Sequence, residues 1–244
     1  MINFFRKIRQ KLLSENRLRK YLLYAIGEIV LVMIGILLAL QVNNWNENRK
    51  YKNAQEVILR SIKQDLKADV TYLRNFLARV DSSYQLLKKQ SEKVNRISYS
   101  KDSLINFLKN DINVFVPTFD GYNNNTYESM KASGKLDLLD NQIKAQLYDL
   151  SILQNTNQEE YQTLRDGYFD EIETLVASYP ISVPFSFVKN TAQNDFVWQD
   201  VEKKDMMLKL NSWGTVKANF FRNIIRNFKP TQEKTEVILN SMKN

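Results

Sequence analysis

The stretch LKADVTYLRNFLARVDSSYQLLKKQSEKV, residues 66–94, decides the fold. Leu66, Val70, Leu73, Leu77, Val80, Tyr84, Leu87 and Val94 recur at alternating spacings of three and four, and Ser91 fills the one remaining seam position. This is a heptad stripe on a helix. Such a stripe can seam two copies in a homodimeric coiled coil or form one face of a bundle within a single chain. The bundle is the favoured reading, because further apolar helices follow.

Toward the N-terminus, neither Gly nor Pro occurs from Ile36 to Val116, so nothing interrupts a helix between the stripe and the apolar run at 22–40. That run holds nineteen residues and one charge, Glu28. At about 1.5 Å per residue it reaches roughly 28 Å, close to the hydrocarbon core of about 30 Å, so one membrane crossing is expected. Glu28 opposes insertion by on the order of 3 kcal/mol, less near an end of the span, whereas the Leu, Ile and Val residues together favour it by about 5 kcal/mol.

Basic residues on the two flanks set the orientation. Arg6, Lys7, Arg9, Lys11, Arg17, Arg19 and Lys20 precede the run, and only Arg49, Lys50, Lys52 and Arg60 follow closely. This bias puts the N-terminus in the cytoplasm and the bulk of the chain in the periplasm or outside. Tyr21, Tyr24 and Trp45 stand near the ends of the run, where amphipathic rings anchor at the headgroups. A cleavable signal peptide fits less well than an uncleaved signal anchor, because the basic region is long and no small-x-small site precedes Asn43. Phe4, Phe5, Ile8 and Leu12 recur at helical spacing among the tail's cations, as in a helix lying on an anionic leaflet. The expected division is a cytoplasmic basic amphipathic tail (1–20), a transmembrane helix (21–42) and a periplasmic helical-bundle domain (43–244).

The net charge of +8 arises from 35 Lys and Arg against 27 Asp and Glu, and most of the excess lies in the tail. The remainder is nearly neutral, which argues against nucleic acid as a partner and for the lipid membrane. With no Cys and no His, the chain lacks thiolate nucleophiles, imidazole bases and the commonest metal ligands.

Toward the C-terminus, a short helix is expected at 101–109, then an irregular stretch through Pro117 and Gly121. Asn125 with Glu128 reads as a capping box for a two-turn helix at 126–133, closed by Gly134 in the left-handed conformation. Asp140 should cap a second long helix to about Ser178, with Ile143, Leu147, Leu150, Tyr161, Leu164, Tyr168, Ile172 and Leu175 on its apolar face and Pro180 and Pro184 beyond it. A loop is expected at 181–194, helix again near Asp205 with Trp213, Val216, Phe220, Ile224 and Phe228 as a stripe, and a last helix with Pro230 in its first turn. The fold class is therefore all-α: one N-terminal transmembrane helix continuing into a long helix, with an antiparallel helical bundle outside the membrane.

The runs FRKIRQKLLSEN (from Phe5) and YAIGEIVLVMIGILLALQVNNWNE (from Tyr24) resemble the N-terminus of an abundant family of uncharacterised single-pass membrane proteins from Gram-negative bacteria. TYESMKASGKLDLLDN, from Thr126, is similar to that family's external region. The resemblance implies an inner-membrane location and a helical periplasmic domain, and carries no activity or catalytic residue.

Within the span, Gly27, Gly35 and Ala39 recur at multiples of four and Glu28 adjoins them, a smooth face suited to packing on another helix. Asp120, Asn123, Asn125 and Glu128 bear oxygens at close spacing, but in no known calcium-loop pattern. Gln154, Asn155, Asn157 and Gln158 interrupt the second long stripe, more as a solvated kink than as a polar layer. The pairs Glu159 with Glu160, and Asp170 with Glu171 and Glu173, read as solvated helix surface, and no nucleophile or phosphate-loop motif occurs. The expectation is a non-catalytic scaffold without cofactor or metal, partnered by the membrane and by its own copies or other envelope proteins. A ligand-sensing bundle that signals through a membrane partner is the alternative.

Overall fold

The computed structural model describes residues 18–97, 100–181 and 191–242. No strand occurs among them. The helices are α1 (Leu18–Arg96), α2 (Lys101–Asn110), α3 (Asn125–Ser133), a 3₁₀ turn (Lys135–Leu138), α4 (Asn141–Ser178), α5 (Thr191–Gln199) and α6 (Lys203–Ser241). The tail cations Arg6, Lys7, Arg9, Lys11 and Arg17, and the loop with Pro184, lie outside the described residues, as do the side chains of Lys20 and Tyr21.

The chain divides into two compact units, one ending at Val57 and one starting at Ile58. In the first, α1 carries the apolar run as an unbroken helix, long and apolar enough to cross a membrane, with none of its apolar window buried.

The second unit is a helical bundle with two apolar clusters. The larger gathers Leu73, Phe76 and Val80 of α1, Tyr161 and Tyr168 of α4 and Trp213, Phe220, Ile224 and Phe228 of α6; the smaller joins Ile62 and Leu66 to Leu147, Leu150 and Ile238. Within one chain Leu66, Val70, Leu73, Val80 and Leu87 of the 66–94 stripe are thus buried, Leu77, Tyr84 and Val94 are half-buried, and Ser91 is exposed. Each fully buried side chain contributes about 1.5–3 kcal/mol relative to exposure. Cross-helix pairs fix directions: Asp69 meets Gln154 and Phe76 meets Tyr161, Asp149 meets Lys234 and Asn157 meets Asn227, and Arg74 meets Glu236 while Tyr84 meets Phe221. Hence α1 and α4 run parallel and α6 runs against both. The parallel pair is possible because residues 112–124 return along α1 before α4 begins.

Local signals account for several ends. Asp140 Oδ1 accepts from Ile143 N at 2.8 Å, Gly134 adopts φ 68°, and Tyr179, preceding Pro180, is extended as a pre-proline residue must be.

Four expectations are corrected. The α3 N-terminus is not closed by a capping box: Asn125 is the first helical residue, Glu128 pairs with Lys131 at 3.8 Å, and the Thr126 amide donates to Asp65 Oδ2 at 3.0 Å. A cap from across the bundle replaces the local one. Helix resumes at Thr191, before Asp205, because α5 has too short an apolar stripe to announce itself. Pro230 lies inside α6, exposed on its outer side, where the proline deprives the Arg226 carbonyl of a helix partner while buried residues on both sides hold the helix together. Gln154 and Asn157 form no solvated kink; each is 3% exposed and hydrogen-bonded.

Candidate functional site

On the membrane-spanning candidate, helical geometry of about 100° per residue sets Glu28, Gly35 and Ala39 within an arc of about 40°, with Gly27 about 80° from Gly35. A Cβ at Gly27 or Gly35 would meet nothing within 4 Å, and Gly27, Gly35 and Ala39 are exposed while Glu28 is half-buried. The small residues of this arc, Gly35 and Ala39, are thus exposed on one side of the helix. Arg19 and Trp45 are exposed, and Tyr24 is half-buried.

The unusual chemistry lies in the second unit, around a segment with no regular structure. Residues 112–124 form neither helix nor strand, yet Ile112, Val114 and Phe119 are buried. Buried backbone amides and carbonyls without partners would cost several kcal/mol in total, on the order of 1–3 kcal/mol each. Side chains from three helices supply the partners. Gln90 Nε2 donates to the Asp111 carbonyl, Lys217 Nζ to that of Asn113 and the Tyr168 hydroxyl to that of Val114. The Tyr161 hydroxyl donates to the Pro117 carbonyl at 3.3 Å and accepts from Phe119 N at 3.0 Å. Tyr72 accepts from Asp120 N at 2.6 Å, Asp69 from Asn123 N at 2.6 Å and Asp65 from Thr126 N at 3.0 Å. Residues 65, 69 and 72 share a face of α1, so their acceptors meet the amides of 126, 123 and 120 in antiparallel order.

Asp69 also accepts from Asn123 Nδ2 and from Gln154 Nε2, each at 2.9 Å. Burial pushes its carboxyl above the ordinary range, with Asp65 adding to the rise, against the pull of the Asn123 and Gln154 donors. One helical turn along α4, Asn157 Nδ2 donates to Tyr122, to Thr231 at 2.7 Å and to the Asn227 carbonyl. Burial raises the Tyr122 hydroxyl well above its usual value. These groups form a polar stratum between the two apolar clusters. The carboxylates of Asp120 and Glu128 meet Tyr72 and Lys131, and Asn123 presents its Nδ2 rather than an oxygen to Asp69.

Lys217 carries no signal in the sequence that would single it out. It is 2% exposed, and its Nζ lies 5.1 Å from the Trp213 ring centre, 5.8 Å from that of Phe221 and 6.0 Å from that of Tyr168. Burial lowers its amine to about 7. Trp213 Nε1 in turn donates to the Tyr168 hydroxyl at 3.2 Å, which ties the cage to the Val114 carbonyl.

A cavity of about 380 Å³ opens between α1, α2 and α6 beside the start of this segment. Phe107, Leu210 and Trp213 supply apolar wall, Lys88 and Arg222 supply positive charge, and Gln90 stands in the lining. Sequence reasoning missed it, since its residues come from three helices.

Residues 28–129 match the model of a family of unknown function, DUF6090. The match starts inside the run quoted from Tyr24 and ends inside the run quoted from Thr126. It therefore includes the apolar run from Glu28 onward and the two sides of the ladder joining 65–72 to 120–126. No curated protein and no solved structure matches the chain.

Proposed function

We propose that this is a single-pass inner-membrane protein, N-terminus cytoplasmic, whose bundle from Ile58 onward faces the periplasm and acts by association rather than catalysis. The observation that carries the reading is the apolar helix itself: Leu22 to Leu40 present large side chains that are 41–71% exposed wherever they are exposed hydrophobics, a surface far beyond what a water-soluble chain leaves bare. The exposed small residues Gly35 and Ala39, flanked by Gly27, with the half-buried Glu28 on the same arc, support assembly with a second copy or another envelope protein. The buried polar side chains of the second unit support a non-catalytic role, because they are engaged in holding its own backbone.

In-cell crosslinking with mass spectrometry tests this, comparing the native chain with a Gly35→Leu, Glu28→Ala variant at matched expression. A discrete crosslinked species that disappears in the variant is expected. Absence of any such species in the native chain would sink association through the span.

A second reading, a ligand-sensing bundle that signals through a membrane partner, is favoured by the cavity between α1, α2 and α6. Its dimensions fall within the range of small-molecule sites.

A further inference from the structure

We propose that the cavity between α1, α2 and α6 binds a single-chain anionic amphiphile. This deepens the sensing reading and rests on it. Two independent observations meet at the cavity. Its volume, about 380 Å³, suits one small amphiphile, and Phe107, Leu210 and Trp213 give it walls that favour an apolar body.

The charge at the cavity has one sign. Lys88 and Arg222 line it and no carboxylate does; among the described residues Lys88 lies over the Tyr84 ring at 4.5 Å and Arg222 donates to the neutral Asn219 amide. Neither cation forms a carboxylate pair there, so an anionic head would be the first charge of opposite sign to reach them.

The test uses the full chain in phosphatidylcholine nanodiscs and a diazirine-bearing dodecanoate, with labelled positions mapped by mass spectrometry. Saturable labelling at 84–95 and 207–222 is expected, with dodecanoate competing at least tenfold better than dodecyltrimethylammonium. Arg222→Gln and Lys88→Gln should each weaken competition about tenfold; both side chains are exposed, and unchanged circular dichroism would show that the fold is kept. Ala218→Phe, which fills the cavity, should abolish this labelling while labelling of the apolar span persists. Labelling confined to 22–40 would overturn both the ligand and the sensing reading. Saturable labelling in the bundle that the cation competes equally well, or that the two charge variants leave unchanged, would overturn the anionic ligand alone.

Discussion

Asp69 and Lys217 are buried ionisable residues with opposite reasons for being there. Asp69 is an acceptor for three N–H donors, and an amide in its place must turn an NH₂ group toward one of them. Asp69→Asn should therefore lose about 1–3 kcal/mol in denaturant unfolding despite its nearly unchanged shape. Lys217 offers a donor to one carbonyl and otherwise faces aromatic rings. Its amine titrates near 7 in the fold and at its ordinary, higher value in the unfolded chain. Between those values the unfolded chain binds more protons, so stability must rise with pH. From pH 7 to 9 the native protein should gain about 1.4 kcal/mol per pH unit relative to Lys217→Met, read from unfolding curves of the two proteins at each pH. Parallel curves would show that Lys217 does not titrate in this interval. Neither residue was distinguishable in the sequence, where a Lys between apolar neighbours and an Asp beside a heptad stripe look like ordinary helix surface.

Helix ends separate what is local from what is not. Asp140 and Gly134 act on amides and carbonyls within a few residues of themselves, so their roles were legible from spacing alone. The α3 N-terminus was not, because its acceptor, Asp65, stands 61 residues earlier on α1. The two kinds of cap make a contrast that can be measured. Asp65→Ala should cost about 1 kcal/mol, as loss of a cap does, while Asn125→Ala should change stability by less than about 0.5 kcal/mol. Equal losses would restore the local capping box. The heptad stripe of α1 and the apolar faces of α4 and α6 were readable for the same reason as the local caps: periodicity is a property of one helix. The Gln154 and Asn157 layer and the cavity at Gln90 were not, since each exists only where residues from distant elements face each other.

At the scale of the molecule, the polar stratum sets the register of three long helices at once. Asp69, Gln154, Asn157 and Thr231 fall between the two apolar clusters on α1, α4 and α6, so sliding any helix by a turn would bury one of them against hydrocarbon. The proposed orientation has its own test. A periplasm-active alkaline phosphatase fused after Asn244 should be active, and replacing Arg6, Lys7, Arg9 and Lys11 with Gln should lower that activity as chains insert the other way. Activity that is absent in the native fusion would reverse the topology. The irregular segment at 112–124 also imposes an order on biosynthesis. Its partners Asp65, Asp69, Tyr72 and Gln90 have all left the ribosome before it, whereas Tyr161, Tyr168 and Lys217 follow it. The segment can be laid along the nascent α1 as soon as it emerges, and the later helices then close over it, so no stage of folding requires a chain to be threaded through a finished bundle.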